Sequence, residues 1–172
     1  MSFRAARSGV ALPLLLLLFA APDAGCSEEW TTFAGRTPLE ARLVLQREDG
    51  RVARAFAPGE ALALVLTLRN PSGAPQSVAL PSAQTHDFAV STLDGREVWR
   101  WSGGRMFAQM LSELSLAPGE ERSFREGWNP RRPDGAPIAP GRYRAEAWVG
   151  PGAAGLRVES VEFVIESGEG GE

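Results

Sequence analysis

The stretch ALALVLTLRN, residues 61–70, places a leucine at every second position. The polar residues Thr67 and Arg69 lie on either side of the last of these leucines. Because successive side chains of a β-strand point to opposite faces, this spacing predicts a strand with one apolar face. The leucines that would form this face are Leu62, Leu64, Leu66 and Leu68.

The same period of two recurs in four other runs, so strands are predicted along most of the chain. These runs are ARLVLQRE (41–48), HDFAVSTL (86–93), RYRAEAWVG (142–150) and VEFVIES (161–167). Their apolar positions are Leu43, Leu45, Phe88, Val90, Tyr143, Ala145, Ala147, Val149, Val161, Phe163 and Ile165.

Turn residues separate these runs. Asp-Gly pairs at 49–50 and 94–95 predict two-residue type I′ hairpin turns. Ala-Pro-Gly occurs at 57–59, 117–119 and 139–141, each time before a strand-like run, and predicts type II turns. About eight strands at short spacing without a clear long helix predict an all-β fold, an antiparallel β-sandwich.

The domain predicted from this pattern covers residues 41–167. Residues 26–40 lack a period and are expected to form a flexible tether, and residues 168–172 a disordered tail. Residues 105–114, RMFAQMLSEL, have apolar side chains at helical spacing. A short strand plus loop is favoured there over a helical turn, because the flanking glycines leave little room.

The first 25 residues have the pattern of an export signal. Arg4 and Arg7 form a basic start, and the apolar stretch 10–21 follows them. That stretch is shorter than the about 20 apolar residues that span a bilayer. The predicted localisation is therefore exported.

Cys26 is the only cysteine and directly follows this signal. Its place is similar to the lipidation site of bacterial lipoproteins, so Cys26 is a lipidation candidate. Asp23 departs from the lipoprotein pattern, and cleavage by the general signal peptidase, leaving a free thiol, is the alternative. The chain is thus predicted to be periplasmic or a membrane-anchored lipoprotein, with membrane contact only through a lipid on Cys26.

Composition limits the classes of function. Hydrophobic residues make up 44% of the 172 residues, and the net charge of −3 offers no electrostatic footprint for nucleic acid. His86 is the only histidine, whereas a zinc site needs three or four nitrogen or sulfur ligands. No nucleophile-elbow sequence is present. We therefore expect no enzyme, no metal and no cofactor, and interpret His86 as a strand residue near a sheet edge.

The stretch DGREVWRWSGGRMF, residues 94–107, predicts the return strand of a hairpin. Strand alternation would place Trp99 and Trp101 on one face with Glu97, and Arg100 on the other. The indoles are interpreted as cover for the end of the core, with an exposed recognition platform as the alternative. The candidate protein-binding residues are Trp99, Arg100, Trp101, Gly103, Phe107, Arg131, Arg132 and Pro133.

Several of these segments resemble a known family. HDFAV (86–90), GREVWRWS (95–102), the following Phe-Ala-Gln (107–109), LAPGE (116–120) and PGRYRAEAW (140–148) are similar to the intracellular proteinase inhibitor family, BsuPI, over about residues 52–150. The resemblance implies an immunoglobulin-like sandwich and the inhibition of a serine protease, a cytoplasmic one in the case that names the family.

Two functions are predicted from this point, both with another protein as the partner. The first is a non-catalytic inhibitor that docks a loop in a protease cleft, either the loop around Gly103 or residues 129–137, whose prolines would limit the entropy lost on binding. The alternative is an envelope-associated scaffold or interaction module without inhibitory activity, because a fold does not specify a function.

Overall fold

The computed structural model describes residues 29–33, 36–132 and 134–168. Cys26 and the predicted export signal lie outside these residues, as does Pro133. The described strands are β1 (Thr31–Thr32), β2 (Glu40–Gln46), β3 (Ala55–Phe56), β4 (Leu62–Arg69), β5 (Gln76–Leu80), β6 (His86–Thr92), β7 (Glu97–Arg100), β8 (Ser112–Leu116), β9 (Glu121–Trp128), β10 (Gly141–Val149), β11 (Leu156–Arg157) and β12 (Val161–Ile165). Among these residues no helix is long and apolar enough to cross a membrane.

Two sheets with a shared core form the sandwich, and a third, smaller sheet pairs β5 with β8. The first has the order β1-β2-β4-β9, and the second has the order β3-β12-β10-β6-β7, with β11 also paired to β10. The pairings are antiparallel except that of β3 with β12. Leu43 and Leu64 from the first sheet lie in the same buried cluster as Phe88, Ala145 and Phe163 from the second. The fold is therefore all-β and a β-sandwich, as the sequence predicts.

The period of two places the core residues as expected. Leu64, Leu66 and Leu68 are fully buried, and Leu62 is nearly so. The side chains on the opposite face of β4 are buried as well, with Ala63, Val65 and Thr67 at 6–9% exposed. On that face a second small cluster forms from Val44, Ala63 and Val65.

The segment predicted to be a tether is part of the domain where the structure describes it. Thr31 and Thr32 pair with Ala41 and Glu40 as a short edge strand. Phe33 is 7% exposed and Leu39 1% exposed, and both belong to the main core cluster. Phe33 and Leu39 are not part of an alternating pattern of apolar residues. Their burial in the core explains why the sandwich extends before residue 41.

Both Asp-Gly turns differ from the predicted type I′. Gly95 has φ 90°, but no described non-glycine residue has positive φ, and a type I′ turn needs it at both central positions. Instead, the amide of Thr92 donates to the oxygen of Arg96, and the amide of Gly95 donates to the oxygen of Thr92. This is a three-residue loop with a left-handed glycine at its end, and residues 47–51 repeat the pattern.

The Ala-Pro-Gly turns gain support from the residues that follow them. The carboxylate of Glu60 accepts a hydrogen bond from the amide of Ala57 at 2.8 Å. The carboxylate of Glu120 accepts one from the amide of Ala117, also at 2.8 Å. After the third turn, the hydroxyl of Tyr143 donates to the oxygen of Ala139 at 2.7 Å. A tyrosine bonded to backbone a few residues upstream at the start of a strand is typical of immunoglobulin-like sandwiches.

Candidate functional site

The β6–β7 hairpin contains an irregularity that reorders the WRW segment. Trp99 pairs with Val90, but Ser91 pairs with Glu97, so the register shifts by one residue at Val98. An extra residue of this kind is a β-bulge, which re-aims the side chains beside it. As a result Glu97 forms an ion pair with Arg100 at 2.8 Å, although strict alternation places them on opposite faces.

Arg100 pairs with a buried carboxylate. Its Nη1 lies 2.8 Å from Oδ2 of Asp87, whose side chain is only 2% exposed, and its guanidinium lies 5.0 Å from the ring of Trp148. Asp87 also accepts hydrogen bonds from the hydroxyl of Ser102 at 2.9 Å and from the amide of Phe88 at 2.9 Å. The carboxylate is thus surrounded by hydrogen-bond donors. It holds both Arg100 and Ser102, the latter at the start of the loop that follows β7.

Trp99 and Trp101 both pack against the core, in agreement with their interpretation as its cover. The ring of Trp99 stacks on that of Trp128 with centroids 5.9 Å apart. The ring of Trp101 stacks on His86 at 4.2 Å and contacts Phe107 at 5.6 Å. Both indoles are half-buried, and the contacts with Trp128, His86 and Phe107 reduce the aromatic surface that a recognition platform would need.

The interpretation of His86 as a strand residue near a sheet edge fits the sheet order, in which β6 lies next to the edge strand β7, and the side chain is buried between the two sheets, at 7% exposed. It lies on β6, which has β10 on one side and β7 on the other. Its ring stacks on Trp101 and also on Phe124 of β9, with centroids 4.5 Å apart in the latter pair. The stack therefore joins the first sheet to the second, close to the start of the loop that follows β7. The stack could not be predicted from the sequence, because Phe124 and His86 are far apart in the chain.

Burial determines the charge of His86. Desolvation lowers the pKa of His86 below its ordinary 6.5, against the opposing effect of the Glu126 carboxylate. The Nε2 atom lies 3.4 Å from Oε1 of Glu126 but makes no hydrogen bond within the described part of the chain. The hydroxyl of Thr85 bonds to Nδ1 at 3.0 Å. At neutral pH the ring is therefore an uncharged member of the aromatic stack.

Residues 105–111, here called the apolar loop, follow this stack and contain no helix. They correspond to the ambiguous segment, and the strand-plus-loop alternative is correct because β8 begins at Ser112. Met106 is 98% exposed, Leu111 85% and Met110 59%. These three side chains are not among the candidate residues chosen from the sequence, because exposure within a loop has no signature in the spacing of residues.

Hydrogen bonds fix the apolar loop along its length. At its start, Nε of Arg105 donates to the backbone oxygen of Trp101 at 2.9 Å. In its middle, the amide of Ala83 donates to the oxygen of Ala108 at 3.0 Å. Directly after it, the hydroxyl of Ser112 donates to the oxygen of Ser82 at 2.6 Å. The exposed apolar side chains are therefore presented by an ordered backbone.

The other predicted loop, residues 129–137, lies elsewhere. Arg131 and Arg132 are exposed, and together with Arg96 they line a cavity of about 410 Å³ beside the residues that precede β7. Arg132 pairs with Asp134 at 2.7 Å. Because Gly103 and Phe107 follow β7 and this cavity borders its beginning, the structure does not bring the candidate residues into one site.

A comparison with known protein families assigns the chain to one of them. The model of the family BsuPI, described as intracellular proteinase inhibitor, matches residues 52–152. The chain belongs to the BsuPI family. The match includes the β6–β7 hairpin and the whole apolar loop, and it confirms the resemblance found in the sequence.

The same description corrects the predicted localisation. A family described as intracellular contradicts an exported, periplasmic or lipid-anchored protein, so that prediction is wrong. The envelope partner depended on export and has no support from the family. A family of proteinase inhibitors implies a protease as the partner and suggests a protein that is not itself an enzyme.

Comparison with solved structures finds partial similarity at low identity. The alkylpurine DNA glycosylase AlkC of Pseudomonas fluorescens is 20% identical, with a TM-score of 0.45, over 76% of this chain and 31% of its own. A β-glucosidase of Listeria innocua is 13% identical, with a TM-score of 0.43, over 76% of this chain and 16% of its own. The chain thus spans less than a third of either enzyme. No curated protein shows significant similarity to the sequence.

Proposed function

We propose that this BsuPI domain inhibits a protease by placing the apolar loop in the active-site cleft. One observation carries the proposal. Six large apolar side chains are exposed among the described residues, and the three most exposed of them all lie within residues 105–111. Large apolar groups clustered on a surface mark interaction sites, and the family implies that the partner is a protease.

The support below the loop fits this function. An inhibitor loses less conformational entropy on binding when its contact segment is already ordered in the free protein. The apolar loop is bonded to Trp101 at its start and to Ala83 in its middle, and Trp101 stacks on the buried His86. These contacts hold the backbone while leaving the apolar side chains free for a partner.

The loop at 129–137 has a weaker claim to this role. Its exposed side chains include Arg131 and Arg132, whose guanidinium groups bond within the loop to the oxygen of Gly135 and to Asp134. A partner that used them would have to replace these contacts. The apolar side chains of residues 105–111 require no such exchange, so we assign the cleft-binding role to the apolar loop.

The proposal is tested by inhibition of a panel of serine proteases, measured as residual hydrolysis of a chromogenic peptide. The test variant carries Met106→Ser, Met110→Ser and Leu111→Ser. The control variant carries the same change at the three other exposed apolar residues, Val52, Leu93 and Val164, which are 37–38% exposed and scattered over the domain.

We expect the wild type and the control to inhibit at least one protease of the panel, and the loop variant to lose this inhibition while keeping its urea-unfolding midpoint. Equal inhibition by the loop variant and the control contradicts the assignment of the loop. A wild type that inhibits no protease contradicts the inhibitory function itself.

A further inference from the structure

We infer that Met106 is the side chain that enters the primary specificity pocket of the protease, and that the target class consists of proteases whose pocket accepts a long, apolar side chain. The inference rests on the proposed function and adds to it the residue that determines specificity. It follows from the way in which the two neighbours of Met106 are bound.

Both neighbours of Met106 contact the same indole. The guanidinium of Arg105 lies 4.6 Å from the ring centroid of Trp101, and the ring of Phe107 lies 5.6 Å from it. Arg105 also donates to the backbone oxygen of Trp101. With the side chains on either side directed to Trp101, Met106 projects into solvent and is 98% exposed.

The indole that holds these neighbours is itself connected to both sheets. Trp101 stacks on His86 of β6, and His86 stacks on Phe124 of β9. Asp87 accepts a hydrogen bond from Ser102, the next residue after Trp101, at 2.9 Å. Met106 is therefore presented by the rigid core, which is the arrangement in which a single inserted side chain binds at the lowest entropic cost.

The other two exposed side chains of the apolar loop are placed less favourably. Leu111 directly precedes Ser112, whose hydroxyl is bonded to the oxygen of Ser82, so Leu111 lies at the base of the loop. Met110 is 59% exposed. These two side chains can contact the walls of a cleft, while Met106, at 98%, is the most exposed of the three.

The chemistry of methionine defines the class of pocket. Its side chain is unbranched, flexible and polarizable, so it fills an apolar pocket of irregular shape. A trypsin-type pocket contains a carboxylate that Met106 would leave buried and unpaired. An elastase-type pocket is too small for this side chain. The target is therefore a protease with a large apolar pocket.

The test compares Met106→Lys with the matched variant Met110→Lys on the same loop. Inhibition constants are measured for the wild type and both variants against a protease with a large apolar pocket and against a trypsin-type protease. Urea-unfolding midpoints control for folding, which neither change should affect, because both side chains are exposed.

We expect Met106→Lys to weaken inhibition of the apolar-pocket protease by about 100-fold and to create inhibition of the trypsin-type protease. Met110→Lys should change either constant by less than about tenfold. An inhibitory wild type with equal losses in the two variants overturns the role of Met106 alone, as does a wild type that prefers the trypsin-type protease. A wild type that inhibits neither protease overturns the proposed function as well.

Discussion

Arg100 of β7 and Asp87 of β6 form an ion pair, with Nη1 of the guanidinium 2.8 Å from Oδ2 of the carboxylate. Asp87 is almost fully buried, whereas Arg100 is 29% exposed and also pairs with Glu97. The pair links neighbouring strands of the second sheet, and Ser102 joins it through its hydroxyl. The buried charge of Asp87 thus connects β6 to β7 and to the residue that follows Trp101.

Removal of this partner should be costly. We expect Arg100→Ala to lower the free energy of unfolding by about 3 kcal/mol, because it leaves the buried Asp87 without its counter-charge. Arg142→Ala is the control, since Arg142 pairs with Glu162 on the surface, and such a pair contributes about 1 kcal/mol or less. Urea unfolding measures both. Equal effects of the two variants would show that the Asp87 pair is not structural.

Trp101 should be structural as well as part of the loop support. Because its ring is half-buried against His86 and Phe107, Trp101→Ala should lower the free energy of unfolding by about 2 kcal/mol. Limited proteolysis should then detect faster cleavage within residues 105–111. Trp30→Ala, which removes a ring that lies 3.9 Å from the guanidinium of Arg69, should leave that cleavage unchanged. Unaltered cleavage in Trp101→Ala would contradict the role of Trp101 as the support.

The strands of the sandwich could be predicted from the sequence because alternation is a local property. The prediction for residues 61–70 requires only that the leucines lie on one face of one strand, and all four belong to the main core cluster. The bulge at Val98 could not be predicted in this way, since it is defined by the register of β7 against β6. The pairing of Arg100 with Glu97 follows from it and was missed for the same reason.

The candidate site was predicted only in part. Trp101 and Phe107, both selected as protein-binding candidates, lie next to each other, with ring centroids 5.6 Å apart. The exposed Met106 was not selected, because its exposure depends on contacts that Arg105 and Phe107 make with Trp101. The stack of His86 on Phe124 joins residues of two different sheets, which periodicity along one strand does not predict.

Asn70 offers a test of the connection between β4 and β8. Its Nδ2 lies 2.8 Å from the oxygen of Ala74 and 3.1 Å from those of Leu116 and Ala117, and its Oδ1 accepts the amide of Ser72. We expect Asn70→Ala to lower the free energy of unfolding by about 3 kcal/mol, because buried carbonyls lose their donor.

The variant Asn70→Asp separates the two halves of this amide. It keeps the acceptor for Ser72 but cannot donate to the three carbonyl oxygens, so its loss of stability in urea should be at least that of Asn70→Ala. A nearly neutral Asn70→Asp would show that the acceptor contact, and not the donor contacts, stabilises this connection.

Stability should fall in mild acid through His86. Burial lowers the pKa of His86 in the folded state below 6.5, so the unfolded chain takes up the proton first as the pH falls. The unfolded state is then favoured, and the free energy of unfolding should decrease as the pH falls through about 6.5. The carboxylate of Glu126 and the guanidinium of Arg105 act on this ring in opposite directions.

The variant His86→Phe keeps a ring in the stack and removes the titration. Urea unfolding at pH 7.5 and pH 5.5 should therefore show a smaller loss of stability for His86→Phe than for the wild type. The same loss in both proteins would mean that His86 does not control the acid sensitivity in this interval.

The central claim is that the apolar loop occupies the active site of a protease, and hydrogen exchange of the complex tests it most directly. Amide exchange of residues 105–111 is followed first in the free domain and then in the presence of an active protease that the domain inhibits. A third sample contains the same protease after its active site has been blocked by a covalent ligand. We predict slower exchange in these residues with the active protease and unchanged exchange with the blocked one. Protection confined to residues 129–137, or equal protection by the blocked protease, would contradict the account.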